Sequence, residues 1–215
     1  MHLHLRGWQI PLFLAYGVTT AGDLGNDTQW ILGQRALLKS GLMQGPRLFV
    51  AGRRVSGPGE RLVDAAGKPV EDPSSAKTPA EARAYVRYLH GLGVDFIKVA
   101  YSVTDEQLAA IADEASKFRM PVLGHINNVD TSMSYDIKEI EHLRGVYRAQ
   151  YIREGKPLPA EEEALSNGVD TKKFGPLIQK MVEQGVALDI ALYDYVLPLV
   201  WTSVRPEIER LAKDP

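Results

Sequence analysis

Five side chains in this sequence are of types, and at spacings, that could hold metal ions. His2 and His4 stand two apart in His2-Leu3-His4, so in a strand both rings leave the same face and can converge on one point. Such a pair near a terminus is also what chance or a tag remnant leaves, so its context must decide. Lys98 lies in Asp95-Phe96-Ile97-Lys98-Val99-Ala100, on the face of Phe96 and Ala100, with no carboxylate two residues away. One reading lets its head snorkel into solvent from the strand end. The other buries it, where an ammonium is costly, and a lysine made neutral by its surroundings can react with carbon dioxide. The resulting carbamate is an anionic oxygen ligand able to bridge two metals. His125 ends the apolar run Met120-Pro121-Val122-Leu123-Gly124-His125, where Gly124 leaves room for close approach, and His142 stands similarly in Ile140-Glu141-His142-Leu143. Each alone also suits a core histidine bonded to a backbone carbonyl. His90 lies in a helical pattern and is assigned to the surface.

Positioning these side chains falls to short β-type runs that alternate with helical ones, the pattern of a parallel sheet wound by crossover helices. Strands are predicted at 1–5, 17–22, 46–52, 95–100, 120–126, 138–143 and 186–192, and helices at 28–42, 79–92 and 104–118. Thr78-Pro79 and Thr104 before Asp105-Glu106 are helix starts, and Gly41, Gly93 and Gly185 stand where helices should stop. About seven β/α units in a row, with no GxGxxG turn after the first strand, favour a (β/α)8 TIM-type barrel over a Rossmann sheet. The class is α/β, and the barrel is incomplete, for an eighth strand is missing. In such a barrel the ligand candidates on strands one, four, five and six reach one end. Residues 56–78 read as a rim loop on that end, and 145–172, with Pro157, Pro159 and Asn167-Gly168, as a second excursion.

A chain of 215 residues, 45% hydrophobic and 24% charged, can bury one substantial core, so residues 1–215 are taken as one domain. Its 25 basic and 27 acidic side chains nearly cancel, which excludes bulk attraction to nucleic acid or anionic lipid. The expected partner is a small molecule or another copy of the chain. With no cysteine, a metal is left to His, Asp, Glu and modified Lys. No run approaches the roughly 18 apolar residues of a spanning helix, and Met1 is followed by His-Leu-His rather than a signal-like stretch. The compartment stays undecided, cytoplasmic if residue 1 is the true start. A strand that begins at residue 1 with no lead-in points instead to an internal start or a fragment.

Taken in order, His2-Leu3-His4, PLFLAYGVTTAGDLG, GVDFIKV, PVLGH and IEHL resemble an imidazolonepropionase-like or prolidase-like amidohydrolase, over residues 1 to about 200. The resemblance implies that His2, His4, a carbamylated Lys98, His125 and His142 bind two divalent metal ions, commonly zinc. The implied reaction is hydrolysis of a carbon–nitrogen bond in an amide, cyclic amide or dipeptide by a metal-activated hydroxide. In that family a strand-eight aspartate within a Gly-Thr-Asp type segment completes the site. This sequence stops at Lys213-Asp214-Pro215, and Asp214 follows a helical run and matches nothing. The aspartate usually found two residues before the first histidine is absent too, as is the β-sandwich of the terminal extensions, so truncation at both ends is expected. Asp23 and Asp194 could reach the same face but read as turn-forming or solvated acids. Two alternatives stand beside this: a catalytically incomplete metal-binding remnant, and a metal-free barrel enzyme using Lys98 as a Schiff base. The second leaves four aligned histidines unexplained. An unclosed barrel exposes strand edges, so an oligomer or poor solubility is expected of this chain alone.

Overall fold

The computed structural model describes residues 2–58, 60, 72–159, 166–191, 205–206 and 210, with His2 described in its backbone only. All seven strands appear where the β-type runs lie, each shorter than its run: β1 His2–Leu3, β2 Thr20–Asp23, β3 Arg47–Val50, β4 Ile97–Val99, β5 Val122–His125, β6 Glu139–Glu141 and β7 Ala187–Asp189. Among the described residues seven α-helices connect or follow them: α1 Ile10–Ala15, α2 Thr28–Lys39, α3 Pro79–Leu92, α4 Asp105–Lys117, α5 Val129–Met133, α6 Arg144–Arg153 and α7 Gly175–Glu183.

The local chemistry explains the boundaries. The Thr78 and Thr104 side chains accept from the backbone N–H groups of Glu81 and Gln107, so α3 and α4 start where their caps are. Gly93 closes α3 in a left-handed conformation that costs a glycine little. β2 begins at Thr20 rather than at residue 17, because Gly17 and Val18 bond back to Leu14 and Phe13 and so finish α1. Neither α1 nor α5 is visible in the hydrophobic periodicity. α1 is a short helix with Pro11 in its first turn, and α5 is a single turn capped by Asn128.

All strand pairs are parallel, and they fall in sequence order into the sheets β1-β2-β3 and β4-β5-β6-β7. The sheets meet at Asp95, whose N–H donates to the Val50 carbonyl while its carboxylate accepts the Val50 N–H, both at 2.8 Å. Arg35 of α2 clamps the same carboxylate at 2.6 Å and the Gly93 carbonyl at 2.8 Å. Farther along, Val55 donates to the Lys98 carbonyl and accepts from Ala100, so the chain after β3 pairs with β4 again. This is the strand order of a partial TIM-type fold, though among the described residues no ring is closed. Residues 192–204, including Asp194, and Asp214 lie outside the described residues, as do parts of the two long excursions.

The main core lies between the helices and one face of β4 to β7. There Ile97, Val99, Val122 and Ile140 pack with Val86, Leu89, Ile111, Val146 and Leu177. A smaller cluster of Leu5, Ile10, Ala21, Ile31, Leu48 and Val50 serves the first sheet. On the other face Leu24, Ala51, Phe96 and Leu123 join the two sheets. No helix among the described residues is long and apolar enough to cross a membrane.

Because Asp95 supplies both rungs of the joint, Asp95→Ala leaves the buried Val50 N–H without its acceptor. The substitution is expected to lower stability by about 2 kcal/mol, measured by denaturant unfolding. A change within about 0.5 kcal/mol would show that the sheets do not depend on this joint.

Candidate active site

The register decides which side chains share the inner face. Lys98 is level with Leu123 and Glu139, and His125 with Glu141 and Asp189. Alternation then sends Lys98, Leu123, His125, Glu139, Glu141 and Asp189 to one side, opposite the residues that meet the helices.

Lys98 is completely buried, so the snorkelling reading of this residue falls. Its Nζ has no hydrogen-bond partner among the described residues. Burial drives its pKa down to about 8, against the opposing pull of the Glu141, Glu139 and Asp189 carboxylates, while Arg54 adds to the lowering. The acids that the sequence around Lys98 lacks therefore come from neighbouring strands. Glu141 is itself fully buried. Burial and the like charges of Glu141 and Asp189 raise the pKa of Glu139.

Gly124 makes this packing possible. Its φ is +140°, and a Cβ there would stand 2.4 Å from the Val99 carbonyl oxygen and 2.9 Å from Cδ of Lys98. The β5 backbone thus lies directly against the lysine stem.

His125 ends β5, and its ring centroid is 5.0 Å from that of His142, with the planes at 44°. His142 stands one residue beyond β6, where alternation would turn its side chain away from Glu141. Its φ of +62° breaks the alternation and brings the ring beside His125, and its N–H is fixed at 2.8 Å on the Asp189 carbonyl. A left-handed backbone at a residue other than glycine costs on the order of 1–2 kcal/mol and is characteristic of functional sites. His125 also stacks on Tyr101, with ring centroids 4.5 Å apart and planes at 17°, and the Arg144 guanidinium sits 5.0 Å from the Tyr101 ring centre.

The structure thus brings the His125 and His142 rings together and puts Lys98 on the same inner face as His125. His4 follows β1 on the first sheet. Its exposed ring has Nδ1 3.0 Å from the Gly25 carbonyl, a contact in which Nδ1–H donates. The side chain of His2 lies outside the described residues. His90 is exposed on α3 and stacks on Phe118 at 4.0 Å, as its surface assignment requires. Asp23 is a turn-forming acid, though buried rather than solvated: its carboxylate accepts from Leu5 N–H at 2.8 Å, Gly25 N–H at 3.2 Å and the Asn26 side chain at 2.6 Å.

A cavity of about 440 Å³ opens beside His125, walled by Arg54, Pro58, Glu60, Tyr101 and Ser102. Ser102 Oγ donates to Glu60 at 2.5 Å and accepts from Gly57 N–H at 2.9 Å, which ties the rim loop to the end of β4. Burial pushes the Glu60 carboxyl up, but its bonds from Ser102 and Arg54 outweigh this and hold it below the usual range. Sequence reasoning missed Glu139, Glu141, Asp189, Tyr101 and the Arg54–Glu60 pair. The first two carried a signal, since acids at alternate positions of an otherwise buried strand must share its inner face.

Among the described residues no three His, Asp or Glu side chains form a preformed metal cage. The donor chemistry nevertheless fits a divalent ion such as zinc. Two imidazoles stand side by side, and a buried amine whose pKa burial lowers to about 8 lies on the same face of the sheet.

No protein-family model matches the chain, and no curated protein matches it in sequence. Solved structures do match its fold. The overlay on phenylurea hydrolase B has a TM-score of 0.59 at 23% identity, over 83% of this chain and 43% of the hydrolase. That on a bottromycin amidohydrolase has a TM-score of 0.59 at 24% identity, over 77% of this chain and 36% of the other. A Xaa-Pro dipeptidase with methionine bound in its active site overlays with a TM-score of 0.51 at 20% identity, over 79% and 53% of the two chains. This chain therefore spans about half or less of the length of these structures, and what it shares with them is the fold.

Gly124→Ala would force a methyl group into the Val99 backbone and the Lys98 stem. We expect a loss of about 2–4 kcal/mol in denaturant unfolding, well above that of a routine glycine substitution in a strand. A neutral effect would mean that β5 does not rest on Lys98.

Proposed function

We propose that this chain carries the metal-binding part of a hydrolase site for carbon–nitrogen bonds of a small molecule, an amide, cyclic amide or dipeptide. In this reading His2, His4, Lys98, His125 and His142 hold two divalent ions, zinc in the first instance, with Lys98 as its carbamate. The observation that carries it is the fully buried Lys98 amine on the same face as the His125–His142 pair. Hydrolases of amide and dipeptide bonds among the fold neighbours support it. When bound, such ions lower the pKa of a water and polarise a carbonyl oxygen.

The chain's own residues supply the rest. Burial keeps the Lys98 amine available for carbamylation near neutral pH, and the glycine at 124 gives its stem room. The left-handed turn at His142 sets two imidazoles side by side. Arg54, Glu60 and Ser102 wall the cavity through which a substrate reaches His125.

Elemental analysis of the purified chain should find about two zinc equivalents, falling by at least half in Lys98→Ala and in His125→Ala. A chain without bound metal would sink the reading. Carbamylation has its own test in 13C NMR with labelled bicarbonate. The amine becomes neutral as pH rises through about 8, so a carbamate resonance should strengthen from about pH 6.5 to about pH 8.5 and be missing in Lys98→Ala.

The same lowered amine favours a second reading, Lys98 as a Schiff-base nucleophile. Borohydride trapping with small aldehydes and keto acids separates the two, since only a Schiff base leaves a stable adduct on Lys98.

A further inference from the structure

From the stack at the mouth of the cavity we infer that Tyr101 is a positioning residue for His125, held in place by Arg144. This rests on the metal-site reading above. The Tyr101 ring lies nearly parallel to that of His125, with centroids 4.5 Å apart and planes at 17°. The His142 ring is a second neighbour of His125, with centroids 5.0 Å apart and planes at 44°. A histidine ring turns about two side-chain bonds, and an aromatic plane against one face restricts the second, which sets where its nitrogen lone pair points.

Tyr101 is itself held from two segments, the loop after β5 and the helix α6. The Asn127 side chain, from the loop after β5, donates to the Tyr101 carbonyl at 2.5 Å, and the Asn127 carbonyl accepts from Arg148 Nε at 3.0 Å. The first residue of α6, Arg144, places its guanidinium 5.0 Å from the Tyr101 ring centre. The column Arg144–Tyr101–His125–His142 thus runs from α6 through the ends of β4 and β5 to the end of β6. It couples the aim of a proposed ligand to the helix that follows the last proposed ligand. Tyr101 also walls the cavity, so the ring that aims His125 bounds the space beside it.

The test uses the full 215-residue chain, with zinc titrated by calorimetry, cobalt as a spectroscopic stand-in, and proton NMR of the histidine rings in the metal-free protein. Tyr101→Leu should weaken zinc binding by about 10- to 100-fold and alter the visible cobalt spectrum with unchanged far-UV circular dichroism. Tyr101→Phe, which keeps the ring, should restore affinity to within about threefold and return the parental spectrum. In the metal-free parental chain the His125 ring protons should be shifted upfield by the stacked ring, and lose that shift in Tyr101→Leu. A leucine variant that binds zinc and cobalt like the parent overturns the inference. So do His125 protons at ordinary positions in the parental chain, a result that needs no variant to fold. Failure of the metal reading shows up separately, as zinc binding unaffected by His125→Ala.

Discussion

The parallel ladder from β4 to β6 aligns Lys98 with Leu123 and Glu139, and His125 with Glu141, and the candidate site is built on that alignment. A shift of one residue in any of the three strands would turn these side chains toward the helices and bring Ile97, Val99, Val122 and Ile140 to the inside. The large apolar cluster under the helices therefore does more than stabilise: it forbids the slip, because a slipped register would put charged side chains into its packing. Precision at the inner face is set by hydrophobic packing on the outer one.

The inner face runs against the usual economy of protein interiors. It buries a lysine and a glutamate completely and gathers two further acids around them. Burying such groups disfavours their charged forms, and the pulls on Lys98 are opposed: loss of solvent drives it toward neutrality while the carboxylates draw it back. An apolar residue at this position would relieve that conflict, so stability alone does not account for a lysine here.

Much of this was legible in the residue pattern. Apolar runs closed by turn residues located the seven strands, and the threonine caps located α3 and α4, because both are local effects. Lys98, His125 and His142 stood out for their strand positions, and two of these rings do meet. The path to that meeting was not legible, since alternation places His142 on the wrong side and only its backbone conformation corrects it. The carboxylates around Lys98 were also hidden, because no acid stands two residues from Lys98 on its own strand and the partners come from strands 40 and more residues away. Tyr101 was overlooked for a similar reason: nothing within its own segment marks an aromatic residue as the neighbour of a histidine on the next strand.

The chain after β3 rejoins β4 at Val55 before it leaves for the rim loop. It is then stitched at its base, where Ser56 N–H donates to the Ser74 carbonyl at 2.7 Å and Ala76 N–H to the Ser56 carbonyl at 2.9 Å. A loop pinned at the neck meets most of its closure entropy there, and each doubling of the length beyond it adds only about 0.6 kcal/mol. The length of chain between Glu60 and Asp72 can therefore change with little mechanical effect on the strands below, whereas Gly57 and Glu60 are bonded to Ser102 beside β4. Variation in that stretch is in this way kept apart from the strands that carry Lys98 and His125.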